Sequence, residues 1–167
     1  LEKIFSSASI EKVFVDRSSS GNRIITHLSR HGILQCWDTK AKKRIFWSKK
    51  TPKQIYFLSW NPQRTHFLFV KHKHSKEIYI WDAKAEKVVH SLKSKDSWFS
   101  RASWNLTGNY IATVDRIGLR VWRFPKMDLQ FYAHLQIDRG NFYDDTDWSP
   151  DGKLYALSDY FGALYIV

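Results

Sequence analysis

The chain lacks several features that mark whole classes of protein. Cys36 is its only cysteine, so no disulfide can form within the chain, and a reducing compartment, cytoplasm or nucleus, is the expected location. No apolar stretch approaches the roughly 18 residues that a membrane-spanning helix needs. The first residues lack the apolar centre of a signal peptide. No arrangement of side chains typical of catalysis is visible, so we expect no enzymatic activity.

The chain is instead rich in apolar, aromatic and basic residues. Of its 167 residues, 43% are hydrophobic and 16% aromatic, with eight tryptophans, which is enough for a core and excludes compositional disorder. The 27 Lys and Arg against 16 Asp and Glu give a net charge of +11. Such a charge favours acidic partners: nucleic acid, phosphates, acidic protein segments or anionic membrane surfaces.

Two series of tryptophans recur at a fixed period. Members of the first lie 44 residues apart and each precedes a turn sequence: Trp60, Trp104 and Trp148. Members of the second end short alternating runs, at spacings of 44 and 41: Trp37, Trp81 and Trp122. Helical repeats would place aromatics on stripes of about 3.6 residues instead. The sequence therefore predicts an all-β fold, a β-propeller of four-stranded antiparallel blades.

The tryptophan period divides the chain into about four blades within one domain. The expected blades cover about residues 10–50, 51–94, 95–138 and 139–167, with residues 1–9 as a spare outer strand. Since the fourth unit lacks an outer strand, two arrangements stay open: the chain forms a closed ring of four blades, or it is a segment of a larger propeller. Four blades is the low end of the range for this architecture, so we expect the larger propeller.

The dipeptides Trp37-Asp38 and Trp81-Asp82 and the final stretch DWSPDGKLYALSDYFGALYIV resemble the WD-repeat family, over about residues 10 to 167. The resemblance implies a propeller that holds partner proteins on its rims without catalysis. The last blade is also faintly similar to that of bromodomain- and WD-repeat-containing proteins. The Trp-Asp-X-Lys endings resemble a motif that docks some WD-repeat proteins onto the adaptor of a cullin-RING ubiquitin ligase; the alternative is that each Asp caps a turn.

The chain departs from the family pattern at several positions. No unit carries the Gly-His dipeptide that precedes the inner strand in the family, and Arg123 follows Trp122 in place of Asp. The acidic residue of the turn between the second and third strands occurs only as Asp115 and Asp159. We therefore expect the family's buried His–Asp–Ser/Thr–Trp network to be incomplete in every blade, and the blades to depend more on aromatic packing.

Two groups of basic residues are candidates for partner binding. The first flanks the outer strand of the first unit: Lys40, Lys42, Lys43, Arg44, Lys49, Lys50 and Lys53. The second falls in a turn of the second unit: Lys71, Lys73 and Lys76. Merged into one patch they would suit nucleic acid or an acidic or phosphorylated peptide; the alternative is protection of an edge strand. Trp47 and Trp98, outside both series, are candidate binding hot spots or covers for a neighbouring blade.

Two further clusters are weaker candidates for chemistry. The first contains three histidines: His66, His72 and His74. Lysines alternate with the last two and repel a cation, so we expect a solvated basic loop and no metal. The second contains three aspartates: Asp144, Asp145 and Asp147. No nucleophile stands at a recognisable spacing from them, so we expect neither catalysis nor a cofactor.

The sequence thus predicts a non-catalytic scaffold for protein–protein contacts within a larger complex, with the remaining blades of the same propeller as a further partner. The alternative is a nucleic-acid- or chromatin-associated module, or a ubiquitin-ligase substrate receptor, that uses a basic rim patch. A hydrolase built on the aspartate cluster is the third class.

Overall fold

The protein is all-β in the part of the chain that its computed structural model describes. That part comprises residues 12–15, 23–28, 31–48, 51, 54–63, 65–95, 97–134, 143–159 and 164–167. These residues form fifteen strands and no α-helix, and accordingly none of the described segments is a helix able to span a bilayer. The strands make four antiparallel sheets, three of four strands and one of three, which confirms the predicted all-β class.

Each sheet is built from one continuous part of the chain, with strands paired in chain order. The first sheet contains β1 (Lys12–Val15), β2 (Arg23–Leu28), β3 (Ile33–Asp38) and β4 (Lys43–Ser48). The second contains β5 (Phe57–Trp60), β6 (His66–Val70), β7 (Glu77–Asp82) and β8 (Lys87–Lys93). The third contains β9 (Phe99–Trp104), β10 (Tyr110–Asp115), β11 (Gly118–Arg123) and β12 (Asp128–His134). The fourth contains β13 (Tyr143–Trp148), β14 (Tyr155–Asp159) and β15 (Leu164–Ile166).

The last hairpin of the first three sheets repeats one backbone geometry. The fifth residue after the tryptophan of the third strand has φ of 51°, 50° and 58° in the three sheets: Lys42, Glu86 and Met127. The outer strand of each hairpin also carries a bulge beside that tryptophan. The tryptophan period is therefore a period of the backbone, even where the side chains differ.

Asp38 and Asp82 cap this hairpin turn in the first two sheets. Asp38 Oδ1 accepts a hydrogen bond from one backbone amide of the turn, and Asp82 Oδ1 from two, all at 2.8 Å. In the third sheet Arg123 takes the aspartate position, and its Nε donates to Asp128 Oδ1 on the facing strand at 3.1 Å. The Trp-Asp dipeptides thus have a structural role, because a short polar side chain satisfies the amides of a tight turn.

Three apolar clusters join the four sheets in chain order. The first cluster contains residues of the first and second sheets, the next of the second and third, and the last of the third and fourth. Central strand β6 contributes to two clusters: Phe67 and Phe69 enter the first, Leu68 and Val70 the second. Burial on both faces accounts for the continuous apolar run of β6, since strict alternation is expected only where one face meets water.

Candidate partner-binding rim

The tryptophans of the inner strands pack between neighbouring sheets. Trp60 and Trp104 are buried, and Trp104 Nε1 donates to the backbone carbonyl of Ser59 on β5 at 3.3 Å. Trp148 on β13 packs edge-to-face on Tyr155, with ring centroids 5.0 Å apart. These side chains therefore serve the contacts between sheets, and we assign them no part in binding.

Two tryptophans of the third strands form hydrogen bonds within their own sheets. Trp37 Nε1 donates to Thr26 Oγ1 at 3.1 Å, and Trp122 Nε1 donates to Thr113 Oγ1 at 3.0 Å. A Trp–Thr hydrogen bond thus forms in the first and third sheets. Both threonines lie on the second strand of their sheet. Each is two residues after the one that faces the tryptophan, which is Ile24 in the first sheet and Ile111 in the third.

The second sheet replaces this hydrogen bond by aromatic packing. Phe69 stands at the threonine position, and the rings of Trp81 and Phe67 are stacked with centroids 6.0 Å apart. Phe69 contacts both Phe67, at 5.9 Å, and Trp81, at 6.5 Å. Among the residues that the structure describes, none accepts a hydrogen bond from the buried Nε1 of Trp81. Aromatic burial compensates for this unsatisfied donor, whose desolvation costs about 1–3 kcal/mol.

Asp115, the last residue of β10, is 0% exposed and holds the turn between β10 and β11. Its Oδ1 accepts from the amides of Ile117 and Gly118 at 2.9 and 3.0 Å, and its Oδ2 accepts from Ser94 Oγ at 2.8 Å and Arg120 Nη1 at 2.6 Å. Because Ser94 directly follows β8, this carboxylate fastens the second sheet to a turn of the third. The sequence places Asp115 in this turn, whereas no spacing marks Ser94 or Arg120 as its partners.

The turn between β6 and β7 lies beside this network. The amide of Ser94 donates to the carbonyl of Lys76 at 2.9 Å, and the amide of Phe99 donates to the carbonyl of Ser75 at 3.0 Å. The β6–β7 turn, the loop that leads into β9 and the β10–β11 turn therefore share one end of the second and third sheets.

This shared end carries a concentration of basic side chains around one tryptophan. We name it the basic rim, and it comprises Lys71, His72, Lys73, His74, Lys76, Lys95, Trp98 and Arg116. All are exposed except Trp98, which is half-buried. The His74 ring meets the Trp98 ring edge-on at 4.9 Å, and the Arg116 guanidinium lies 5.6 Å from its centroid. Lys71 Nζ lies 4.2 Å over the ring of Tyr79. Trp98 and Tyr79 thus orient the basic groups, each contact being worth about 0.5–1 kcal/mol at an exposed site.

The described carboxylates closest to the basic rim already have partners within the protein. Glu77, at the start of β7, accepts a hydrogen bond from Tyr79 Oη at 2.6 Å, which is the main reason that the pKa of Glu77 lies below its usual value. Lys93 Nζ is 3.6 Å from the same carboxylate. Asp115 is buried against Arg120. Within the described residues, the lysines of the β6–β7 turn therefore form an exposed positive surface that suits an external anion.

The first predicted group of basic residues lies at a different end of its sheet. Its described members occupy the β3–β4 turn and the start of β4, all exposed: Lys40, Lys42, Lys43 and Arg44. Thr51, in the loop leading into β5, donates from Oγ1 to the carbonyl of Gly32 in the β2–β3 turn at 2.7 Å. The same loop reaches the end of β6, where the amide of Tyr56 donates to the carbonyl of Val70 at 2.7 Å. The β2–β3 and β6–β7 turns therefore lie at one common end. The β3–β4 turn is at the other end of β3. The structure therefore places the described members of the first group apart from the lysines of the β6–β7 turn.

Several predicted candidates fall outside the described side chains. Trp47 lies on β4 opposite Gln35, and Asp159 ends β14 at the position that Asp115 has in β10. Three lysines of the first group lie outside the described residues altogether: Lys49, Lys50 and Lys53. Of the aspartate cluster on β13, Asp147 is exposed and its Oδ1 accepts from the amide of Trp148 at 2.9 Å.

The three candidate metal histidines do not gather at one place. His66 begins β6, whereas His72 and His74 lie in the turn that follows this strand. His66 Nε2 is 3.5 Å from Asp82 Oδ2, and burial lowers the pKa of His66, an effect that Asp82 partly offsets. In the part of the chain that the structure describes, no three His, Cys, Asp or Glu side chains are placed to hold a metal ion.

Comparison with known proteins adds no assignment to this geometry. No protein-family model matches the chain, and no curated protein matches it at a significant level. The basic rim is the basis of the proposed function.

Proposed function

We propose that this chain is a set of WD-repeat-like propeller blades that acts as a non-catalytic protein-binding platform, with the basic rim as the contact surface for an acidic segment of a partner protein. The site would work by charge complementarity at a polar rim, which governs the rate and specificity of encounter more than the final affinity.

The arrangement of the sheets supports the propeller part of the proposal. The four sheets follow one another in chain order, joined by three apolar clusters. Inner strand β9 contacts both β5 and β13. Blades around a common axis require such neighbouring first strands, with successive sheets packed on each other.

The placement of Trp98 carries the binding part. This ring lies in the loop between two sheets, outside both tryptophan series, and it contacts His74 and Arg116. Three exposed lysines of the β6–β7 turn lie at the same end of the sheets: Lys71, Lys73 and Lys76. Tryptophan and arginine are among the residues most enriched at binding hot spots, and Trp98 and Arg116 are in contact here.

An acidic protein segment fits this surface better than nucleic acid. Sequence-tolerant binding of single strands uses aromatic rings on which bases stack. The Trp98 ring already contacts Arg116 and His74, and the Tyr79 ring lies under Lys71. Both rings therefore orient basic groups that can pair with carboxylates or phosphates.

The proposal is tested with a short fluorescein-labelled polyglutamate peptide in an anisotropy titration at low salt. Reversing two charges of the basic rim, Lys71→Glu with Lys73→Glu, is expected to weaken binding about tenfold or more, a loss of about 1.4 kcal/mol. The matched control, Lys40→Glu with Lys42→Glu, makes the same charge change at the same spacing outside the basic rim and is expected to change the affinity less than about twofold.

Three results would contradict the proposal: no binding at low salt, equal losses in the two variants, or a larger loss in the control. An oligonucleotide of matched charge is titrated in parallel. Tighter binding of the oligonucleotide, lost in the Lys71 and Lys73 variant with a steep salt dependence, would replace the acidic protein segment by nucleic acid as the ligand.

A further inference from the structure

The outer strands of the first three sheets differ in how their open edges are protected. Strand β4 begins with Lys43 and Arg44, and β8 begins and ends with Lys87 and Lys93, all exposed. Lysine on an edge strand opposes pairing with another edge, because two such strands would bring like charges together. Strand β12, with the sequence DLQFYAH, contains neither Lys nor Arg.

Strand β12 also exposes three large apolar side chains. Leu129, Phe131 and Tyr132 are 48%, 40% and 44% exposed. Among the described strands, β12 pairs with β11 alone. All three outer strands share a bulge, which twists an edge away from partners. Beyond that bulge, β12 pairs with β11 without interruption from Phe131 to His134, so this part of the edge is regular.

The charges along β12 favour a second copy of the chain as its partner. Two copies that each carry +11 repel one another over most of their surface. On β12 the only formal charge is that of Asp128, which is held in an ion pair by Arg123, and the strand ends at His134. Antiparallel pairing of two copies would place the Asp128 end of each strand beside the His134 end of the other. Repulsion is therefore smaller along β12 than along the lysine-bearing outer strands β4 and β8.

We propose that β12 is a homodimerisation edge, at which two copies pair antiparallel about a twofold axis near Phe131 and Tyr132. An isologous contact needs a self-complementary element, and an antiparallel edge is one, since each strand supplies the amides and carbonyls that the other lacks. Pairing would also bring the two Phe131–Tyr132 segments into cross-strand contact. The Arg120 guanidinium lies 5.0 Å from the centroid of the Tyr132 ring and orients this side chain.

Sedimentation velocity of the whole chain, from micromolar to near-millimolar concentration, tests the proposal. The wild type is expected to show a reversible monomer–dimer equilibrium. Phe131→Lys places two like charges opposite each other at the axis and is expected to raise the dimer dissociation constant at least about tenfold. Gln130→Lys introduces the same charge beside the axis with no loss of apolar packing and is expected to act in the same direction.

The control is Val88→Lys on β8. Val88 faces Trp81 beside the bulge of β8, as Leu129 faces Trp122 beside the bulge of β12. Val88 is 42% exposed, so the substitution has a similar local cost, and it is expected to leave the equilibrium unchanged. The proposal is overturned if the wild type stays monomeric throughout, if Phe131→Lys and Gln130→Lys leave a dimer intact, or if Val88→Lys dissociates it equally.

Discussion

The second and third sheets have the same strand order and the same turn geometry, but different interactions stabilise them. In the second sheet Trp81 packs on the phenylalanines of β6, and its buried Nε1 has no hydrogen-bond partner in the described part of the chain. In the third sheet Trp122 donates to Thr113, and the buried Asp115 carboxylate holds a turn through four hydrogen bonds. One backbone plan therefore accepts either an aromatic or a polar interior.

The difference also determines what each turn can do. The β10–β11 turn depends on Asp115, so its sequence is constrained by the hydrogen bonds that it makes. The β6–β7 turn has no such carboxylate, and the second sheet is stabilised by aromatic burial below it. That turn carries the basic side chains from Lys71 to Lys76 in place of a buried carboxylate, and it forms part of the proposed binding surface.

The largest effect is expected from the aromatic core of the second sheet. Phe67→Ala should lower the free energy of unfolding by about 4 kcal/mol, because Phe67 is fully buried and contacts Trp60, Phe69 and Trp81. Urea unfolding followed by circular dichroism measures the change. The control Leu106→Ala, at an exposed turn position, should stay within about 0.5 kcal/mol. A loss below about 1 kcal/mol for Phe67→Ala would refute a stabilising role for the aromatic core.

A somewhat smaller effect is expected from the carboxylate of the third sheet. Asp115→Asn should cost about 3 kcal/mol, since it leaves the Arg120 guanidinium without its partner and weakens the bond from Ser94. The same urea measurement applies. Asp151→Asn, an exposed aspartate in the β13–β14 turn, is the control and should cost about 0.5 kcal/mol. Equal costs for the two substitutions would mean that burial of Asp115 is not what makes it important.

The Trp–Thr hydrogen bond should contribute less again. Thr113→Val removes the acceptor of Trp122 and should cost about 1–2 kcal/mol, because an indole N–H is left without a partner. In a Trp122→Phe background the donor is absent, so the same substitution should cost at most about 0.5 kcal/mol. A double-mutant cycle gives the coupling, and additive costs would exclude this bond as a source of stability.

The smallest effect is expected from the titration of His66. Burial lowers the folded-state pKa of His66 below the unfolded value of about 6.5. The unfolded chain therefore binds more protons below that value, and stability should fall as the pH drops from 7.5 to 5.5, above the range in which exposed carboxylates titrate. His66→Asn should flatten this dependence in urea midpoints. An equal slope in both proteins would remove His66 as its source.

The sequence predicts the strands well because the aromatic period fixes their register. It also places Asp38, Asp82 and Asp115 at turns, where the structure shows each of them accepting backbone amides. It gives no special weight to Asn61 and Asn105, although each accepts two amides of the turn after its tryptophan at 2.9–3.1 Å. Their position directly after the tryptophans of the first series is a signal that could have been used.

The candidate site was predicted only in part. Lys71, Lys73 and Trp98 are identifiable from the sequence as candidates, but Arg116 and Lys95 belong to other segments, and only the packing of two sheets brings them to the same end. The separation of Lys40 and Lys42 from the basic rim has the same origin. Sequence proximity gives charge density along the chain, whereas the direction of each strand decides which end of the sheet a turn occupies.

Zero-length carbodiimide cross-linking of polyglutamate to the protein, read by mass spectrometry, tests the central claim most directly, because it identifies the lysines that contact bound carboxylates. We expect cross-links at Lys71, Lys73 and other lysines of the basic rim, suppressed by high salt. Cross-links concentrated instead at Lys40 and Lys42, or spread evenly over the exposed lysines, would contradict the assignment of the basic rim as the binding surface.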